Sequence, residues 1–174
     1  MQLELEDALK EYPKEDLTRT PTPLQFLPHL SERLAVQVYI KRDDLTDLAL
    51  GGAKARKLEY EIAQARAGGA DVLVTCGSSQ SNHARLTTAA ARKVGMECAV
   101  ILSHDMWHTM NGNLLAVHLM GAQIHVVEAK DHWDLEQQAA AWKSCASWMA
   151  TISTWTRYMP LLGRVESSLH CYLP

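Results

Sequence analysis

Between residues 54 and 142 the hydrophobic period of the chain switches repeatedly, and this alternation constrains the fold more than any other feature. From 54 to 67, Leu58, Ile62 and Ala65 recur at helical spacing, and Gly68-Gly69 closes the stretch. Residues 71–76 hold a short apolar run that predicts a buried strand, followed by the turn Gly77-Ser78-Ser79. Residues 81–94 predict a second helix, rich in small residues (Ala84, Thr88, Ala91) and stopped by Gly95. A strand at 97–102, a helix at 113–120 ended by Gly121, a strand at 122–127 and a helix at 134–142 complete the series. Strands alternating with helices predict an α/β fold, a parallel sheet flanked by helices. Such sheets bind ligands at the carboxyl ends of their strands, so the turn at Gly77-Ser78-Ser79 is the expected ligand position.

The flanks read differently. Thr20-Pro21-Thr22-Pro23-Leu24 is a turn-rich segment in which two prolines disfavour helix. Residues 36–40 place Val36, Val38 and Ile40 on one face and predict a strand, and Lys41-Arg42-Asp43-Asp44 reads as a solvated turn after it. From 144 to 174 the sole acidic residue is Glu166, and Trp148, Met149, Trp155 and Met159 follow neither period.

Composition narrows the function classes. Apolar residues make up 47% of the 174 and charged residues 21%, enough for a packed core and too apolar for disorder. A formal net charge of −3 argues against a nucleic-acid binder. No run reaches membrane-span length, and the acidic start, Met1-Gln2-Leu3-Glu4-Leu5-Glu6-Asp7, has no apolar signal core. Cys76, Cys98, Cys145 and Cys171 show no CxxC spacing, and no histidine pair forms HExxH. A reduced, cytoplasmic setting without a metal site is therefore expected.

Two constellations could carry chemistry. Lys54 opens a predicted helix directly after Gly51-Gly52-Ala53. As an ordinary lysine it is a solvated charge. However, glycines allow a ligand close to the backbone, and the helix dipole disfavours a cation at this end. Schiff-base chemistry needs a lysine with a neutral amine. The positional argument applies equally to Arg56 and Lys57. The second constellation is Gln80-Ser81-Asn82-His83-Ala84-Arg85, at a strand-to-helix turn. Backbone N–H groups there could hold a carboxylate, with Ser81 and Asn82 adding side-chain contacts. Plain helix capping by the same Ser and Asn is the competing reading.

Taken together these stretches resemble the D-cysteine desulfhydrase and 1-aminocyclopropane-1-carboxylate deaminase family of tryptophan-synthase-β-like, fold-type II pyridoxal-phosphate enzymes. The matching residues are Thr22-Pro23-Leu24, Lys41-Arg42-Asp43-Asp44-Leu45, Gly51 through Glu59, Gln80 through Arg85, Gly112-Asn113-Leu114-Leu115 and Gly121-Ala122, in family order from about residue 20 to 127. The resemblance implies that the cofactor is pyridoxal 5'-phosphate. Lys54 would hold it covalently and later move protons. Ser81 would be catalytic beside the substrate's α-carbon, and Asn82 would contact the phenolic oxygen of the cofactor. The backbone at Ser81, Asn82 and His83 would bind the carboxylate of a small amino acid. Family desulfhydrases yield pyruvate, ammonia and hydrogen sulfide, and the deaminase yields 2-oxobutanoate and ammonia. A full-length member could form a homodimer; no nucleic acid, membrane or metal is implied.

The resemblance also implies an organisation. Residues 1–50 would be the N-terminal part of the larger domain of a two-domain fold, 51–143 the small α/β domain, and 144–174 an atypical tail outside the fold. Two departures stand out. Ala53 replaces the family's usual asparagine before the lysine. Family members are also about twice as long, and their later half supplies the phosphate loop, the partner of the pyridine nitrogen and the substrate-side tyrosines. The chain thus reads as a truncated desulfhydrase-like lyase or deaminase, with the tail as an aberrant or out-of-frame end. Two competitors stand beside that reading. One is an inactive fragment or interaction module that keeps the scaffold. The other is a nucleotide-binding α/β module, disfavoured because the chain has neither a G-x-G-x-x-G turn nor a Walker lysine motif.

Overall fold

In the computed structural model, which describes residues 7, 9–104, 109–143 and 149–151, the alternating segments assemble into one parallel sheet. Its two inner strands, β3 (Val72–Gly77) and β4 (Glu97–Ser103), pair in register from Val72 opposite Glu97 to Gly77 opposite Leu102. Strand β5 (Gln123–Val127) adds to the free edge of β4, and β6 (Met149–Thr151) adds to the other edge of β3. The order is therefore β5-β4-β3-β6.

Both faces of the inner strands are covered, which is why their sequences are continuous apolar runs rather than alternating ones. Leu73, Cys98, Val100 and Leu102 meet one helical layer, and Val74, Cys76, Ala99 and Ile101 meet the other. The first layer is α2 (Lys54–Ala67), α3 (Asn82–Lys93) and α4 (Gly112–Leu119); the second is α5 (His132–Lys143). Helix α3 packs against the sheet, α2 and α4 at once. Its Ala84, Ala90 and Ala91 are at most 1% exposed, because only small side chains let three elements approach one helix. Burial pushes the thiols of Cys76 and Cys98 up to about 11, so both behave as small apolar groups.

The helix boundaries follow local chemistry. Gly69 takes a left-handed φ of 73° after α2, and the amides of Gly68 and Ala70 return to Gln64 O and Ala65 O. Ser81 caps α3 through a 3.2 Å bond from Ala84 N to its Oγ. No helix among the described residues is long and apolar enough to cross a membrane.

The N-terminal part departs from the sequence expectation. Strand β2 spans Tyr39–Lys41 rather than 36–40, and it pairs antiparallel with β1 (Leu24–Phe26) across the short helix α1 (Pro28–Leu34). Ala35 turns left-handed (φ 53°), and Ser31 then captures two amides beyond it: its O accepts Val36 N at 3.2 Å and its Oγ accepts Val38 N at 2.9 Å. Those bonds bind residues 36–38 to α1, so the ladder starts only at Tyr39. The apolar alternation of Val36, Val38 and Ile40 does not mark a buried face, because Val36 and Ile40 are both exposed. Of the tail, 149–151 form β6; the rest lies outside the described residues.

The expected solvated turn is partly a clamp. Asp43 opens a 3-10 turn (Asp43–Leu45) and receives both Nε (3.1 Å) and Nη2 (2.8 Å) of Arg56, together with Thr22 Oγ1 at 2.7 Å. This pairing ties the ribbon to α2. The hydrogen bond from Arg56, more than that from Thr22, holds the Asp43 carboxyl below its ordinary value against the opposing effect of partial burial. A depressed carboxylate stabilises the fold above its unfolded pKa, and that contribution is lost as pH falls through the folded pKa. Below pH about 4 the chain should therefore lose stability steeply, and Asp43→Asn should flatten the loss while lowering stability at pH 7. Urea midpoints measured from pH 7 to pH 2 test this; equal acid slopes in the two proteins would refute it.

Candidate functional site

The strand order places a crevice. Connections β3-α3-β4 and β4-α4-β5 advance to one side of β3, whereas β5-α5-β6 returns to the other side. The reversal opens the sheet at its carboxyl end. A cleft of about 450 Å³ lies there, lined by Gly77 at the end of β3, Ser81 after it, Ser103 at the end of β4, and Asp131 and His132 where α5 begins.

Ser81 reaches the cleft because residue 77 is glycine. A Cβ on Gly77 would lie 2.6 Å from Ser81 Oγ, so any larger residue would push the hydroxyl aside. Ser81 Oγ accepts the Ala84 amide and still has its own proton to donate. The capping reading of Ser81 is thus correct as geometry, and it leaves the hydroxyl at the cleft. The Ser81 amide donates to Ser78 O at 3.0 Å. The amides of Asn82 and His83 occupy the first two helical positions, which have no intrahelical acceptor.

Asn82 is exposed, and its Oδ1 accepts Asn113 Nδ2 at 2.9 Å and Arg85 Nη2 at 3.3 Å. The His83 ring is buried, at 6% exposure, and does not line the cleft. Lys54 is exposed at the first position of α2, after Ala53, which makes no side-chain cap. It too lies outside the cleft lining.

The lysine loop is nevertheless held against α3. Arg85 Nη2 donates to Gly51 O at 3.2 Å, and a Cβ on Gly52 would lie 3.1 Å from Leu86 Cδ1. Thr46 fixes the loop from behind, with its Oγ1 accepting Gly52 N at 3.0 Å and donating to Gly52 O at 3.1 Å. The turn before Lys54 has positive φ at Asp47, Ala49, Gly51 and Gly52 (28°, 50°, 71° and 135°), a strained path that the surrounding bonds over-determine. Arg56 and Lys57, which shared the positional argument with Lys54, have other roles: Arg56 clamps Asp43, and Lys57 pairs with Glu61 at 3.3 Å.

Several residues at this end escaped sequence reasoning. Gly77 was legible as a turn glycine, but not as the space for a serine four residues later. Ser103, Asp131 and His132 are brought in by the ends of β4 and the start of α5 and carry no local signal. No group of three or more His, Cys, Asp or Glu among the described residues is placed to hold a metal ion.

Comparison with known proteins gives a consistent result. Residues 16–155 match the model of a family described as pyridoxal-phosphate dependent enzyme. D-cysteine desulfhydrases of Salmonella paratyphi B and Salmonella newport are each 43% identical to the chain over 138 residues, covering 76% of it and 42% of the relative. The chain therefore spans less than half the length of these relatives. A crystal structure of an ACC deaminase homologue superimposes with a TM-score of 0.81 at 37% identity, covering 88% of this chain and 48% of the other.

Proposed function

Because the chain belongs to the pyridoxal-phosphate-dependent enzyme family, we propose that it is the N-terminal part of a lyase or deaminase that acts on a small amino acid, in the manner of a D-cysteine desulfhydrase. The observation that carries this reading is the bond from Arg85 to Gly51, which joins the Lys54 loop to the Gln80–Arg85 turn at one end of the sheet. Two motifs far apart in sequence are thereby held against each other, which supports the reading that they serve one site.

The residues fit a carbonyl cofactor with anionic groups. Lys54 offers an accessible amine on a glycine loop, the start of α3 offers backbone donors, and Asn82 offers an amide. Bound pyridoxal phosphate supplies an electron sink for bond cleavage at the substrate's α-carbon. Lys54 would be the residue that holds the cofactor's carbonyl group, and its Nζ would carry a proton to or from the substrate's α-carbon. The Asn82 and His83 amides would orient the substrate carboxylate at the helix terminus, and the Ser81 hydroxyl would act near the substrate's α-carbon. The cytoplasm is the proposed compartment, and a homodimer the proposed assembly of a full-length member.

Residues 1–50 are proposed to belong to a larger domain. Supporting this, their ribbon forms a sheet separate from the parallel one, and Leu24, Phe26, Tyr39 and Ile40 on it are 42–65% exposed. A two-stranded ribbon with apolar residues in water is marginal unless something packs on it. The same ribbon, with the 42% coverage of relatives, favours a second reading: a scaffold-keeping module without catalysis.

Spectroscopy separates the two. The chain with pyridoxal 5'-phosphate should develop visible absorbance that Lys54→Ala abolishes, and addition of D-cysteine should release pyruvate and sulfide. A chain that stays colourless in excess cofactor would sink the enzyme reading and leave the module.

A further inference from the structure

The side-chain amides beside the site form a hydrogen-bond chain whose polarity is set at both ends. At one end stands Arg85, 4% exposed, whose guanidinium can only donate. Its Nη2 serves Gly51 O (3.2 Å) and Asn82 Oδ1 (3.3 Å), and its Nε and Nη1 have no acceptor among the described residues. At the other end stands the backbone carbonyl of Gln80, which can only accept. Asn113 Nδ2 donates to it at 2.7 Å, so the group Asn113 turns this way must be its NH2. That same NH2 meets Asn82 at 2.9 Å, so the Asn82 atom facing it must be oxygen. Gln80 is oriented independently: its Oε1 accepts the Asn113 amide at 2.9 Å, and its Nε2 faces Asn111 O and Oδ1. Gly112, with φ of 50°, makes room for this contact, since a Cβ there would lie 2.4 Å from Gln80 Oε1.

Flipping the Asn82 amide would set its NH2 against two donors at once and lose two hydrogen bonds. We infer that Arg85 and Asn113 are positioning residues that hold Asn82 as an obligate donor, with its amide nitrogen presented outward. This rests on the proposed function for what the donor meets: the anionic phenolic oxygen of the cofactor. A donor fixed beforehand stabilises such an oxygen without reorganisation, and the cation behind it polarises the amide further. Burial lowers the pKa of Arg85 from its ordinary value, yet the guanidinium stays charged at neutral pH. Neither residue touches the reacting atoms.

The test has two arms. In cofactor-free, 15N-labelled chain, the Asn82 side-chain NH2 should show the heteronuclear 1H–15N NOE of a rigid group. In Arg85→Met and Asn113→Leu that NOE should fall to the value of a mobile side chain, with the helical circular dichroism unchanged, and Arg85→Lys should restore it. An NOE unchanged in both variants, or already that of a mobile group in the unaltered chain, would overturn the inference. In the second arm, chain loaded with pyridoxal 5'-phosphate is titrated. Loss of the oriented donor should weaken cofactor binding roughly tenfold and raise the pH midpoint of the visible band by about one unit, since a donor favours the anion. An unaltered chain that binds no cofactor would refute the proposed function, while the amide signals would still decide the orientation.

Discussion

Gly51→Ala should lower stability by about 3–4 kcal/mol and the melting temperature by roughly 10 °C. A Cβ at this position would lie 1.9 Å from the backbone carbonyl oxygen of Asp44 and 2.7 Å from its carbon. No rotamer relieves a contact with backbone, so the turn itself must move. That turn is held by Gly51 N to Leu48 O, Gly52 N to Asp43 O, and Arg85 to Gly51 O. Its displacement would carry Lys54 away from α3. Gly69 is the natural control, with a similar φ of 73° against 71° and nothing within 4 Å of its added Cβ. Gly69→Ala should cost only the left-handed penalty, about 1 kcal/mol. Thermal melts of the two variants separate clash from conformation; equal losses would show that the close approach to Asp44 has no weight.

The second large effect is expected at Glu59. Its side chain is 2% exposed on α2, and Oε1 accepts Thr18 N (3.2 Å) and Thr18 Oγ1 (2.7 Å) while Oε2 pairs with Lys14 at 2.9 Å. These bonds fasten the strap before the ribbon and bring Leu17, 1% exposed, into the core. Glu59→Ala leaves the buried Thr18 groups without an acceptor and opens a void, for a loss of about 3 kcal/mol. Lys14 is 42% exposed and recovers its hydration, so the ion pair adds little to that figure. Glu59→Gln keeps an acceptor for Thr18 and should lose only about 1 kcal/mol. Denaturant unfolding and hydrogen exchange at the Thr18 amide check both; if exchange there is unchanged in Glu59→Ala, the strap is held by something else.

The four-residue distance from Gly77 to Ser81 and the 34-residue distance from Gly51 to Arg85 mark where sequence reading stops. Helix α2 was legible from its start at Lys54 to its glycine end, because period and capping are local properties. The parallel sheet was legible because three apolar runs alternate with helical stretches. The ribbon was misread because Ser31, on a short helix, takes the amides of Val36 and Val38, and nothing in the alternation of 36–40 signals a competitor for those bonds. Asp43 read as solvated because charge runs usually are; its partner Arg56 lies 13 positions away, across the lysine loop.

Alone, the sequence determined the α/β class and the presence of helices α2 to α5 to within about two residues at their ends, and it singled out Lys54 and the Gln80–Arg85 turn as candidates, all of them properties of neighbouring residues. Tertiary structure decided that β6 enters beside β3 and so opens the crevice, that Arg85 draws the Gly51 carbonyl onto α3, and that the Asn82 amide has only one orientation. The physical reason is the same in each case. Strand order, a buried cation's acceptor and an amide's polarity depend on which groups packing brings within about 3 Å, and no period along the chain encodes that distance.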